Sequence, residues 1–360
     1  GHSNYSILEG MVTPLQYVQR SKALGQKSIA LTDHGNMYGL IEFYKAAKSE
    51  DIHPVLGVEF YLALEKRTDR RPKIDSKTHN LILLAQNKKG YENLLSLTTR
   101  AHLEGFYFRP RVDFELLEEH CEGLICLSSD YRGIVSHYLL AGMMEEARAA
   151  VKRLQKIFGE ENVFAELEDH PAIEEQKEAN RLLMELARSM KVPMVATNNV
   201  HYVTHEDSAA QDVLLCIKDN RLISDPHRFR YTDDFSLKSS DEMTKAFADI
   251  PEAISNTIEI SNRCKVNFSF GKNLIPDFKT PPEKTAAQYL RDLVLEGVRE
   301  RYDFDPGNPE EGTQKNILER VNFELETITH MGFDEYFLII WDLIHFARSK
   351  GIIVGPGRGS

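Results

Sequence analysis

The chain has 360 residues, 42% of them hydrophobic, so it is too long for one ordinary domain and can bury more than one core. Its net charge of −11 argues against a large surface that tracks nucleic-acid phosphates, although a local basic patch stays open. No apolar run approaches the roughly 18 residues that cross a bilayer and no secretory leader opens the sequence, so we expect a soluble, cytoplasmic protein with no membrane partner. The four cysteines lack CxxC spacing, which disfavours disulfides and a zinc ribbon.

Short apolar runs rich in β-branched residues predict six strands in the first 200 residues. They are residues 28–32, 55–62, 80–85, 123–128, 163–167 and 192–197. Helical periodicity lies between them, as where Leu40, Phe43 and Ala47 fall on one face. Because strand and helix alternate, we expect a parallel sheet. Six such units favour a β/α barrel over an open sheet.

After about Asp207 the alternation of strands and helices ends, and the sequence has mainly helical periodicity. A proline-rich stretch follows at residues 275–282. We therefore place a first domain at residues 1–270, a joint at 271–282 and a second, mainly helical segment at 283–360. The second segment ends in a glycine-rich hexapeptide.

Ligand-type residues gather at the predicted strand ends, where β/α barrels carry their active sites. His34 follows the first strand and His201 the last, whereas His79 precedes its strand. Taken singly, each such residue is more often structural than a metal ligand, and residues 32–35 are equally typical of a turn. Convergence of imidazole and carboxylate types favours a metal site. On the residues alone, both interpretations stay open.

Several segments resemble motifs of the polymerase and histidinol phosphatase (PHP) domain, in particular that of the alpha subunits of bacterial DNA polymerase III. Those in the first domain are residues 2–10, 32–35, 57–59, 79–85 and 196–202. Later segments resemble the same family, namely residues 104–111, 250–257, 331–339 and 355–360. The resemblance covers essentially the whole chain. It implies the α/β fold class, as a distorted seven-stranded β/α barrel followed by a mainly helical, partial polymerase palm.

The resemblance also implies up to three divalent metal ions, manganese, zinc or magnesium. Carried over position by position, the ligands are His2, Glu9, His34, Glu59, His79, Asp130, Asn199 and His201. The family usually has Asp, Cys and Asp where this chain has Glu9, Asp130 and Asn199, and its first histidine would lie just before Gly1. Asp in place of Cys favours manganese or magnesium over zinc, and Asn removes a negative charge. We expect a weakened site.

The terminal hexapeptide is a glycine turn as bare sequence, but it resembles the palm motif near the incoming nucleotide's triphosphate. Gly357, Arg358, Gly359 and Ser360 are therefore candidate nucleotide-binding residues. In the family the catalytic aspartates lie well downstream of this motif, so residues 275–278 are not their equivalent.

The resemblance implies part of a replicative, DNA-directed DNA polymerase, a nucleotidyltransferase that uses DNA and dNTPs and works with other replisome subunits. Its PHP domain would be a metal-dependent phosphoesterase, with 3′→5′ exonuclease activity. The alternative is a catalytically inactive PHP scaffold that stabilises the polymerase and binds a separate proofreading exonuclease subunit. The number of surviving ligands discriminates between the two. A free-standing phosphatase is disfavoured because sequence typical of the palm follows the barrel.

Overall fold

The computed structural model describes residues 1–271, 274–355 and 357. The chain divides into two compact units, Gly1–Phe268 and Ser269–Ser360, which are described separately here. None of the described helices combines the length and apolarity that crossing a membrane requires.

In the described residues of the first unit, seven strands form one curled sheet in the order β1-β2-β3-β5-β6-β7, with β4 paired to β2. The strands are β1 (Ser28–Leu31), β2 (His53–Ala63), β3 (Thr78–Ala85), β4 (Arg111–Val112), β5 (Leu124–Leu127), β6 (Val163–Glu168) and β7 (Met194–Thr197). The six predicted strands are all present, and the PHP-type barrel is confirmed. The seventh strand is a two-residue segment that periodicity could not reveal.

The sheet is mixed, whereas strand–helix alternation predicted a parallel one. β3 runs antiparallel to both β2 and β5. The cause is the connection at residues 64–77, which the structure describes in full and which contains no helix, so the chain turns back instead of crossing over. The start of β3 consequently lies beside the end of β2, with His79 opposite Leu62.

Helices cover the sheet. They are α1 (Pro14–Ala23), α2 (Leu40–Ser49), α3 (Lys88–Leu103), α4 (Phe114–Glu119), α5 (Ile134–Leu140), α6 (Met144–Phe158), α7 (Glu174–Met190), α8 (Ser208–Asp219), α9 (Ser240–Ala246) and α10 (Pro251–Arg263). Thr13 and Gln16 form a capping box that starts α1. The predicted face of α2, with Leu40, Phe43 and Ala47, is buried. Because helices and the barrel interior cover its two faces, β2 is buried along almost all its length.

The first two residues connect the two ends of the sheet. The His2 backbone N–H donates to the Val200 carbonyl at 2.8 Å, and the Thr32 N–H donates to the Gly1 carbonyl at 2.8 Å. Thr32 follows β1 and Val200 follows β7, so the segment lies between the carboxyl ends of these strands. His2 is thereby placed at the edge where the other candidate ligands lie.

The second unit is helical in its described residues, as predicted, with α11 (Ala286–Tyr302), α12 (Thr313–His330) and α13 (Asp334–Ser349). Leu290, Leu325 and Leu338 form its small core. Large apolar side chains of α13 are exposed, among them Leu343 and Phe346. Of the predicted nucleotide-binding residues, Gly357 has no regular secondary structure, and Arg358, Gly359 and Ser360 lie outside the described residues.

Candidate metal centre

Among the described residues, three histidines from distant parts of the sequence form one cluster. His2 precedes α1, His34 follows β1 and His201 follows β7. One ring nitrogen from each lies within 4.8 Å of the others. The His2 ring stacks on His34 at 4.0 Å and on His201 at 4.6 Å between centroids. This convergence follows from the barrel, because β1 and β7 end at the same edge.

Two oxygen donors lie against His2. Its Nε2 is 3.2 Å from Glu59 Oε2 and 3.0 Å from Asn199 Oδ1. Asn199 adopts φ of 46°, a left-handed conformation that asparagine tolerates better than most residues. Ligands about 2 Å from one cation lie roughly 3 Å from each other, so these distances suit a shared ion. The predicted ligands His2, Glu59 and Asn199 are therefore brought together.

Glu9 contacts the cluster twice. Its Oε2 lies 3.1 Å from His34 Nε2, so the side chain reaches the site despite the extra methylene relative to Asp. Its backbone carbonyl accepts a hydrogen bond from His201 Nδ1 at 2.9 Å, which leaves His201 Nε2 free to bind a metal. Burial would raise the pKa of the Glu9 carboxyl, but His34, Lys218 and Arg109 bring it to about 2.

The three imidazoles are held in the neutral form, which is the protonation state that binds a metal. Burial lowers the pKa of His2 and of His201 well below the ordinary value. Burial and the neighbouring His2 lower the pKa of His34 to about 3. Neutral rings offer lone pairs to a cation. The buried Nδ1 atoms of His2 and His34 have no hydrogen-bond partner, so the donor set fits a bound cation better than a purely structural network.

His79 is not brought into this cluster. Its ring packs against His137 of α5, with 4.7 Å between centroids. The next residue, Asn80, faces the barrel interior instead, where its amide donates to Glu59 Oε1 at 2.5 Å. Because side chains alternate along a strand, the two residues project to opposite faces. His79 was predicted to precede its strand, whereas β3 begins at Thr78 and includes it, and the residue on the interior face is Asn80.

Asp130 lies inside the barrel, but its carboxylate is already engaged. The Arg132 backbone N–H donates to Oδ1 at 2.9 Å, and Arg132 Nε donates to Oδ2 at 2.7 Å. Burial raises the pKa of the Asp130 carboxyl despite this cation. The position where the family usually has Cys is thus occupied by an ion pair. Arg132 was not among the predicted site residues, although it lies only two residues after Asp130 in the sequence.

Two further carboxylates that the sequence analysis did not single out lie on β6. Glu166 and Glu168 are both buried and line a cavity of about 260 Å³ together with His2 and Glu59. Burial raises the pKa of Glu166 to about 8 and that of Glu168 well above its ordinary value. Their alternate spacing within an otherwise apolar strand was the signal for an interior-facing pair.

A second cavity of about 310 Å³ opens over the histidine cluster. Its lining residues include Glu9, His34, Tyr61, Thr78, Asn80, Arg109, Arg132, His201, Lys218, Asp219, Phe229 and Tyr231. It combines metal-ligand types with cations and aromatic rings. Residues 218–231 contribute several of these groups, and neither periodicity nor a motif in that stretch pointed to the site.

The barrel that carries this cluster of histidines and carboxylates is of the PHP type, since the PHP domain model matches residues 1–170. The model for the bacterial DNA polymerase III alpha NTPase domain matches residues 288–360. The chain is 43% identical to DNA polymerase III subunit alpha of Treponema pallidum and 40% identical to that of Borreliella burgdorferi. It belongs to the family of bacterial DNA polymerase III alpha subunits.

These alignments cover 100% of this chain but only 30% and 31% of the two relatives, so the chain spans about a third of their length. The subunit of Aquifex aeolicus, 36% identical, shows the same coverage pattern, with 32% of the relative matched. Among solved structures, an amidohydrolase from Chromobacterium violaceum aligns with a TM-score of 0.38 and 14% identity, over 56% of this chain and 85% of that one.

Proposed function

We propose that this chain is the N-terminal part of a replicative polymerase whose full-length form copies a DNA template from dNTPs together with other replisome subunits. The proposal rests on relatives named DNA polymerase III subunit alpha that match across all 360 residues. By the same resemblance, the catalytic aspartates lie beyond Ser360. Nucleotidyl transfer needs carboxylates that hold two metal ions, so these 360 residues should not extend a primer.

We assign residues 1–270 to the PHP barrel, 271–282 to a joint and 283–360 to the palm. The division into compact units at Phe268 and Ser269 supports this assignment.

Within the barrel, the cluster is proposed to bind divalent metal ions and to hydrolyse phosphoesters. The observation that carries this proposal is the contact of His2 Nε2 with Glu59 and Asn199, within a cluster of three buried imidazoles. His2, Glu59 and Asn199 would hold one cation, and Glu9, His34 and His201 a second. Both sets combine imidazole nitrogen with carboxylate or amide oxygen and contain no thiolate, which suits manganese as well as zinc.

Bound divalent cations would lower the pKa of a water molecule and neutralise charge on a phosphate group. The protein's own contribution is to fix the ligands. Asn80 orients Glu59 through its amide, and the Glu9 carbonyl fixes the tautomer and direction of His201. Depressed pKa values keep the imidazoles neutral near neutral pH, so that protons do not compete with the metal.

A second candidate function is the inactive scaffold that binds a proofreading exonuclease subunit. Two observations favour it: Arg132 engages both oxygens of Asp130, and His79 faces α5. Together with Asn199 in place of a carboxylate, they reduce the donor set. We therefore expect at most weak 3′→5′ exonuclease activity, best seen with manganese.

Metal analysis of protein purified without chelators separates the two functions. The metal-centre proposal predicts bound divalent metal that is lost in His34→Ala and in His201→Ala. His205→Ala is the matched control, because that side chain is 75% exposed. The same variants should lose manganese-dependent cleavage of end-labelled single-stranded DNA. If the unaltered protein takes up no manganese in solution, the scaffold is the better account.

A further inference from the structure

Three cationic side chains line the cavity over the histidine cluster. Of the described residues that line it, Arg109, Arg132 and Lys218 are cationic, against the carboxylates of Glu9 and Asp219. Cations that line a partly closed cavity attract and hold anions.

Arg109 has donors to offer to a ligand. Its guanidinium lies over the Tyr61 ring at 4.6 Å, and its Nη2 is 3.9 Å from Glu9 Oε1. The side chain is 41% exposed. Arginine carries five N–H donors in a planar fork that matches phosphate oxygens, and these two neighbours use few of them. The stacking on Tyr61 fixes the plane in which the remaining donors lie.

Lys218 lies beside a proposed metal ligand. Its Nζ lies 2.7 Å from Glu9 Oε1, while the other oxygen of the same carboxylate contacts His34. A phosphate group that approaches the histidines therefore comes within reach of the ammonium group. The ammonium group has three donors, and the contact with Glu9 takes one of them, so the others can reach a phosphate.

Aromatic rings also line the cavity. Tyr231 packs against His201 at 5.1 Å and Phe235 at 4.2 Å between centroids, which holds it in place. Phe229 meets Tyr231 edge to face at 5.6 Å and is 52% exposed. An exposed, supported ring beside bound phosphate is a stacking surface for a nucleobase. Cations alone would suit any phosphate, whereas this ring favours a nucleotide.

We propose that this cavity is a nucleotide-binding subsite in which Arg109 and Lys218 hold the phosphate and Phe229 stacks on the base. The inference rests on the proposed phosphoesterase function in that it names the group held beside the metal centre. The subsite is assembled from side chains of the barrel itself, so it should bind a nucleotide weakly even without metal.

The test is isothermal titration of the full 360-residue chain, in EDTA, with thymidine 5′-monophosphate and with inorganic phosphate. The nucleotide should bind at least about fivefold more tightly than phosphate, in line with one stacked base. Arg109→Ala and Lys218→Ala should each weaken binding of both ligands by about tenfold, as expected for a lost charged contact. Phe229→Ala should weaken only the nucleotide, to the level of phosphate.

Arg221→Ala is the matched control, because this exposed arginine pairs with Asp225 and does not line the cavity. It should bind both ligands like the unaltered protein. Circular dichroism should confirm that every variant is folded.

The subsite is refuted if neither ligand binds at millimolar concentration, or if Arg221→Ala weakens binding as much as Arg109→Ala. A Phe229→Ala protein that still prefers the nucleotide would refute the stacking role. The experiment in EDTA separates this inference from the proposed function. If the protein binds manganese but no nucleotide, only the subsite is refuted. If the protein binds nucleotide in EDTA but never takes up metal, only the proposed hydrolytic function is refuted.

Discussion

Both carboxylate oxygens of Asp130 accept hydrogen bonds from Arg132, one from the backbone N–H and one from Nε. The aspartate is buried, whereas the arginine side chain is 45% exposed. The pair therefore places a carboxylate that is already paired with a cation at a position where the family usually has a metal-ligand type. Its first consequence is for stability, because a buried carboxylate without its cation is costly.

Replacing Arg132 with Met should lower the free energy of unfolding by about 1–3 kcal/mol, since water can reach the half-exposed arginine and moderates the loss. Urea denaturation near neutral pH measures the change. Burial raises the pKa of Asp130 above its unfolded value, and loss of the cation should raise it further. Stability is then lost as pH rises through the folded pKa, so the deficit should shrink at lower pH.

Asp130→Asn combined with Arg132→Met is the informative control, because it removes both charges. The double variant should recover most of the stability lost in the single one. An equal loss in both proteins would mean that Arg132 stabilises by packing and not by pairing with Asp130.

The buried histidines should make the metal-free protein sensitive to mild acid. With its pKa lowered to about 3, His34 stays neutral in the folded state at a pH where the unfolded chain takes up the proton. Stability should therefore fall as pH drops below about 6.5, by up to roughly 1.4 kcal/mol per pH unit for each such histidine. Urea denaturation in EDTA at several pH values measures this slope.

His34→Gln should reduce the slope, and His205→Ala, at an exposed position, should leave it unchanged. A slope that is the same in all three proteins would assign the acid sensitivity to other groups.

Much of the barrel could be predicted from sequence because its longer strands are mainly apolar. The antiparallel β3 could not, since its direction depends on a connection of residues 64–77 that lacks a helix. His79 illustrates the limit for the site. A shift of one residue along a strand moves a side chain to the other face, and nothing in the sequence around His79 and Asn80 distinguishes the two. Lys218 lies near the end of α8 and Phe229 in the irregular stretch that follows it, and only the folded chain brings them to the cluster.

The domain assignment can be tested by limited proteolysis. The joint at residues 271–282 follows shortly after the boundary of the compact units at Phe268 and Ser269, and its described residues have no helix or strand. Exposed backbone of this kind is cut first. Mass spectrometry should find early cleavage between residues 269 and 285, with a product of residues 1–268 that still binds manganese. Early cuts inside the barrel would contradict the proposed boundary.

Asn199 offers the most direct test of the weakened metal site. Its Oδ1 lies 3.0 Å from His2 Nε2, so the side chain is positioned as a ligand but carries no charge. Asn199→Asp keeps the size of the side chain and restores an anion beside the proposed cation. The gain should be on the order of 1–3 kcal/mol, which corresponds to roughly 5- to 150-fold tighter manganese binding.

Manganese titration of the two proteins, side by side with digestion of end-labelled single-stranded DNA, measures affinity and activity together. Asn220→Asp serves as the control, because it adds the same charge at an exposed helix end. If metal binding rises only in Asn199→Asp, the gain is local to the site and does not come from net charge. If it rises equally in Asn220→Asp, or in neither variant, Asn199 does not face a cation and the barrel is better understood as a scaffold.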